Sequence, residues 1–163
     1  MGIESFRIDL YWQTNDSKDS IIERLKEFFI VEPHYYFRKK LLFSKKGYAE
    51  NQYRIQNFII AYFCDKDNYF CLEACFSNFE NYLVLMHEVF CVVQRYFQAK
   101  ILMNDLIIQG NISFRDFKKI IGDFYFTKMN DFTRKYGSVK KDFLPGNDFY
   151  EKIRVSRGRR FDT

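Results

Sequence analysis

Residues 58–76 read FIIAYFCDKDNYFCLEACF, and the pattern of this stretch decides the fold. Two runs rich in aromatic and β-branched residues flank Asp65-Lys66-Asp67-Asn68, whose side chains favour turns, so the stretch predicts a β-hairpin. With Cys64 facing Tyr69 across the turn, strand alternation assigns both faces. One carries Ile59, Ala61, Phe63, Phe70, Leu72, Ala74 and Phe76, all apolar, and must meet helices. The other carries Phe58, Ile60, Tyr62, Cys64, Tyr69, Cys71, Glu73 and Cys75. That second face is apolar enough to want cover, yet it holds tyrosines, thiols and a carboxylate.

Outward from the hairpin, Ser77 and Glu80 make the S-x-x-E pattern of a capping box and open a helix over about 78–98. Its polar residues recur at 80/81, 87/88 and 94/95, one narrow stripe on a helix of 3.6 residues per turn. Leu83, Met86, Phe90, Val93 and Phe97 are therefore expected against the sheet, while Tyr82, Leu85, Val89, Val92 and Tyr96 need a second partner. Before the hairpin, Phe6, Ile8, Leu10 and Trp12 alternate with Arg7, Asp9 and Tyr11, the period of a half-buried strand. Ser20 and Glu23 repeat the capping pattern for a short helix whose apolar side is Ile21, Ile22, Leu25, Phe28 and Phe29. Pro33 closes the connection that follows, and Tyr35–Ser44 reads as a second strand. After the central helix, residues 100–103 and 106–108 are short strand candidates. Ser113 with Asp116 then caps a long helix over about 114–136, with Phe114, Phe117, Ile121, Phe124, Met129 and Phe132 on its apolar side and Gly122 as a weak point.

The order β-α-β-β-β-α-β-α predicts an α+β fold, an antiparallel sheet with helices packed on one face. It resembles a ferredoxin-like split β-α-β variant with an additional C-terminal helix. A length of 163 residues suits one domain, expected over 1–153, followed by a basic tail at 154–163. The longest apolar run, Phe58–Cys64, is far short of the roughly 20 residues of a membrane helix. With no apolar stretch near the N-terminus, a secretory leader is not expected. The four cysteines are then expected as free thiols in a reducing cytoplasm.

The formal charge is +5, unevenly placed. Residues 1–110 hold 13 Lys/Arg against 14 Asp/Glu, and residues 111–163 hold 13 against 7. Arg154, Arg157, Arg159 and Arg160 crowd the end, and Arg38, Lys39, Lys40, Lys45 and Lys46 form a second cluster. Such groups attract nucleic acid or acidic protein surfaces, although charge runs are as often simply solvated.

Specific chemistries are sparse. Cys71-x3-Cys75 with His87-x3-Cys91 has the residue types of a zinc site. Residues four apart on a strand lie about 13 Å apart, however, so Cys71 and Cys75 cannot share one ion, and no metal or cofactor is expected. His87 and Cys91, one helical turn apart, are the conceivable thiol dyad, but without a protease signature. No phosphate-binding glycine motif is present. An outer sheet face with Tyr62 and Tyr69, joined by Tyr11 if its strand is a neighbour, together with basic loops, resembles the way RNA-recognition domains stack bases, but the consensus such domains carry is missing from residues 57–63. The expectation is a non-enzymatic, cytoplasmic binding protein, an inhibitor of the anti-CRISPR or toxin-immunity kind, that sequesters a nuclease or nuclease–RNA complex. Its partner-binding residues would be Tyr62, Tyr69, Glu73, Arg38, Lys39, Lys40, Lys45, Lys46 and the four terminal arginines. An RNA-binding module is the alternative, and a thiol or metal enzyme using His87 and Cys91 the third reading. Part of the apolar surface could close a homodimer.

Overall fold

In a computed structural model the chain is described over residues 5–34, 38–46, 58–64, 66–75, 79–103 and 106–136. Seven strands form one antiparallel sheet: β1 (Ser5–Trp12), β2 (Phe29–Pro33), β3 (Lys40–Lys45), β4 (Phe58–Phe63), β5 (Tyr69–Cys75), β6 (Ala99–Met103) and β7 (Leu106–Gln109). Three helices, α1 (Lys18–Phe28), α2 (Phe79–Phe97) and α3 (Phe114–Tyr136), complete an α+β architecture. The spatial order of the strands is β2-β3-β4-β5-β1-β6-β7.

The hairpin pairs as its alternation predicts. Phe63 lies opposite Phe70 and Ala61 opposite Leu72, and the Cys64 N–H donates to the Tyr69 carbonyl at 3.0 Å. Phe63 and Phe70 stack with ring centroids 4.4 Å apart, and Trp12 of β1 leans on both. The pairing of β1 with β5 puts Phe6, Ile8 and Leu10 on that same face, opposite Ala74, Leu72 and Phe70. All three helices share one buried core with this inner face: Ile21 and Leu25 from α1, Leu83, Met86, Val89, Phe90 and Val93 from α2, Phe117, Ile121 and Tyr125 from α3. Both flanking helices pack on α2; of the residues expected to need a second partner, Tyr82, Leu85 and Val89 are buried, Val92 is partly buried, and Tyr96 is 39% exposed. Phe117 of α3 stacks on Phe90, and the Arg24 guanidinium of α1 lies 4.4 Å over the Tyr96 ring.

Two expectations need correction. The strand expected over 35–44 is shorter among the described residues: 38 and 39 form a turn, β3 begins at Lys40, and residues 29–33 already form β2. Phe29 therefore belongs to a strand. It ends α1 with extended backbone (φ −128°, ψ 160°) while remaining buried, so the apolar stripe of the helix runs into the inner face of the sheet without a break. Likewise the N-cap of α1 is Ser17, not Ser20. The Ser17 hydroxyl accepts from the Ser20 N–H at 3.3 Å, and Glu23 pairs instead with Lys26 at 2.6 Å. Ser113 caps α3 as expected, accepting from the Asp116 N–H at 3.1 Å. The capping pair proposed for α2 and the 154–163 tail lie outside the described residues.

Candidate functional site: the outer face of the sheet

Cross-strand register assembles the outer face from five strands. Opposite one another lie Lys40 and Tyr62, Tyr62 and Cys71, Cys71 and Asp9. His34 continues this row beyond Lys40, to whose carbonyl its N–H donates at 2.9 Å. In the next row Glu73 stands between Ile60 and Arg7. In the row on the other side, Tyr69 pairs with Tyr11, and Tyr11 in turn with Lys100 of β6. Antiparallel pairing thus brings two tyrosines 58 positions apart into a stack with centroids 5.1 Å apart.

Most charges on this face are matched within it, while Lys100 has no ion pair among those described. Lys40 Nζ donates to Glu73 Oε2 at 2.8 Å, and Arg7 Nε donates to Asp9 Oδ1 at 2.8 Å. Burial pushes the Cys71 thiol up to about 11, so at neutral pH it is a protonated, unreactive group. His34 is only 6% exposed, and burial, reinforced by the Lys40 charge, lowers its pKa to about 4. A hydrogen bond with Cys64, more than burial, raises the Tyr69 phenol, which stays a neutral donor and acceptor. At one end of the face, Leu42, Phe58 and Ile60 form a second, separate buried cluster.

Of the residues expected to bind a partner, Tyr62, Tyr69, Glu73 and Lys40 come together here. The remaining basic residues do not. Lys45 lies in register with Phe29, on the helix side, and its Nζ donates to Glu88 of α2 at 3.0 Å. Lys46 donates to the Glu27 carbonyl at the end of α1 at 2.8 Å. Arg38 and Lys39 line a cavity of about 280 Å³ with Lys18, Asp19, Ile22, Leu41 and Phe63, beside the start of α1. Arg154, Arg157, Arg159 and Arg160 lie outside the described residues, as does Cys75 beyond its backbone. Arg7, Asp9 and His34 belong to the face without having been singled out. The period of β1 already put Arg7 and Asp9 opposite Phe6 and Ile8, but nothing local reveals that β1 lies beside β5.

The His87–Cys91 pair occupies α2 away from this face. Nε2 of His87 is 2.9 Å from the Ile112 carbonyl, which can only accept, so Nε2 carries the proton. Cys91 Sγ lies 3.4 Å from that protonated nitrogen and 3.9 Å from Nδ1. Burial raises the Cys91 thiol. The imidazole also packs on Phe114 and Phe117, so its observed role is to tie the entry of α3 to α2. Among the described residues no three His, Cys, Asp or Glu side chains are grouped to hold a metal ion, and no helix is long and apolar enough to cross a membrane. Compared with family models, curated proteins and solved structures, the chain matches none.

Proposed function

We propose that the chain is a non-enzymatic binding protein that holds a protein partner against the outer face of its sheet. The observation that carries this reading is that most cations near the tyrosines are held in ion pairs or turned to the helix side, Lys100 beside Tyr11 being the exception. Lys40 and Arg7 are paired with Glu73 and Asp9, and Lys45 and Lys46 turn toward the helices. Phosphate recognition needs cations that release counterions on contact, whereas a largely charge-matched, tyrosine-bearing surface suits a protein interface. The finer form of the proposal is an inhibitor that sequesters a nuclease or a nuclease–RNA complex in the cytoplasm, the basic last third being suited to an acidic groove or a guide RNA. A ferredoxin-like origin of the fold is part of the same proposal. It is supported by β5 and β6 running the same way on either side of β1, joined by α2, and by β1 and β4 doing so around β5; β2, β3 and β7 would then be additions.

The test is capture of partners from native lysate by the full chain and by Tyr62→Ala and Tyr69→Ala, each checked for folding by circular dichroism. A protein captured by the parent, retained after RNase and lost from both variants supports the reading. Full retention by both variants removes the outer face as the site. Capture that disappears with RNase, or falls steeply between low and moderate salt, transfers the function to RNA binding.

A further inference from the structure

Among the described residues the sheet is open at both ends, and the β2 end carries devices that keep it unpaired. At β2, Glu32 places a charge on the edge and Pro33 removes a backbone donor, two devices that keep an edge strand from recruiting another. At β7 the sequence is Leu106-Ile107-Ile108-Gln109, with no charge and no proline. No strand pairs with its far side among the described residues. Ile107 is 61% exposed and Leu106 is 39% exposed, so the apolar side chains that a covered edge would bury stand in solvent.

We propose that β7 pairs antiparallel with β7 of a second copy of this chain, joining two seven-stranded sheets into one. The strand is self-complementary. A two-fold axis perpendicular to the sheet keeps the helices of both copies on the same side, and a residue must then face one of its own parity. Centred on Ile107, the pairing sets Ile107 against Ile107 of the second copy and Leu106 against Ile108 of the second copy, an apolar centre, with Gln109 falling opposite sequence position Asp105 at either end. Centred on Ile108, it would set Ile107 against glutamine and Leu106 against Gly110, so the first register is the one these side chains favour. Pairing of β7 with β2 of another copy would bring Glu32 and Pro33 into the seam and would propagate without closing, which the charge and the proline oppose.

Sedimentation equilibrium of the full chain tests this, with a mass of twice 19.9 kDa expected. Ile107→Lys places like charges opposite each other at the centre of the seam and should raise the dimer dissociation constant about tenfold or more. Phe126→Lys removes a side chain of equal exposure, 62%, from α3 and should leave the constant unchanged. Circular dichroism confirms that both variants fold. Should Ile107→Lys not fold, hydrogen exchange of the parent decides: amides of 106–109 must exchange more slowly as concentration rises. A monomer at all concentrations up to about 100 µM overturns the proposal, and is also what an edge reserved for a segment of another protein would give. Equal dimerisation by parent and Ile107→Lys, or equal loss in both variants, overturns it as well.

Discussion

Lys40 and Glu73 sit on strands that do not touch, β3 and β5, yet Nζ and Oε2 are 2.8 Å apart across β4. The pair spans the outer face beside Tyr62, with both side chains part-buried. Removing one partner leaves the other charge poorly solvated, so Glu73→Gln should cost roughly 1–3 kcal/mol of unfolding free energy. Lys40→Met with Glu73→Gln should recover part of that loss, because no uncompensated charge then remains. Urea denaturation of the two single variants and the double variant checks the coupling; strictly additive losses would show that the pair does not act as a unit.

His34 makes the outer face sensitive to acid. Its pKa falls from 6.5 to about 4 on folding, chiefly through burial. The folded state therefore binds fewer protons than the unfolded one between these values. The contribution is complete above pH 6.5 and is lost progressively as the pH drops through about 4, in total about 3 kcal/mol. Carboxylates also titrate in the lower half of this window, so the decisive quantity is the difference between the parent and His34→Gln. The parent should lose stability more steeply from pH 7 to 4.5 in denaturant titrations. Parallel curves for the two proteins would refute the assignment.

Gly122 sits inside α3, and a β-carbon built there meets nothing within 4 Å. Replacing it by alanine removes backbone freedom from the unfolded chain without creating a clash. Gly122→Ala should stabilise the protein by about 1 kcal/mol and raise the melting temperature by about 2–4 °C, as read by calorimetry.

Where one residue pattern controlled the outcome, the structure was legible in advance. The hairpin and α3 combine a clear periodicity with turn or cap chemistry at a boundary, and α2 carries one long polar stripe. The strand at 29–33 was hidden because Phe28 and Phe29 continue the apolar stripe of α1, with no glycine or asparagine to mark where helix becomes strand. The outer face was legible in parity but not in neighbourhood. Alternation placed Tyr62, Tyr69 and Glu73 on one surface, with Tyr11 a candidate beside them, while the choice of β5 and β6 as the neighbours of β1 is tertiary, and it is this choice that adds Arg7 and Asp9. The same limit explains Lys45. It lies just past the strand expected over 35–44, yet it is the last residue of β3, and its register with Phe29 turns it toward Glu88.

His87 and Cys91 give the last prediction, because a structural tie and a catalytic dyad respond differently to the same substitutions. His87→Ala loses the bond to the Ile112 carbonyl and the packing against Phe114 and Phe117, so it should destabilise the domain by roughly 1–3 kcal/mol. Cys91→Ala removes a half-buried thiol that donates nothing essential and should cost about 1 kcal/mol or less. Alkylation by iodoacetamide, resolved by peptide mass spectrometry, separates the chemistry from the stability. Because burial raises the Cys91 thiol, its modification rate should be low at pH 7 and climb through pH 9 and beyond. A thiol activated by His87 would instead react fast at neutral pH and slow down in the His87→Ala variant. Rapid, His87-dependent alkylation at pH 7 would restore the enzyme reading.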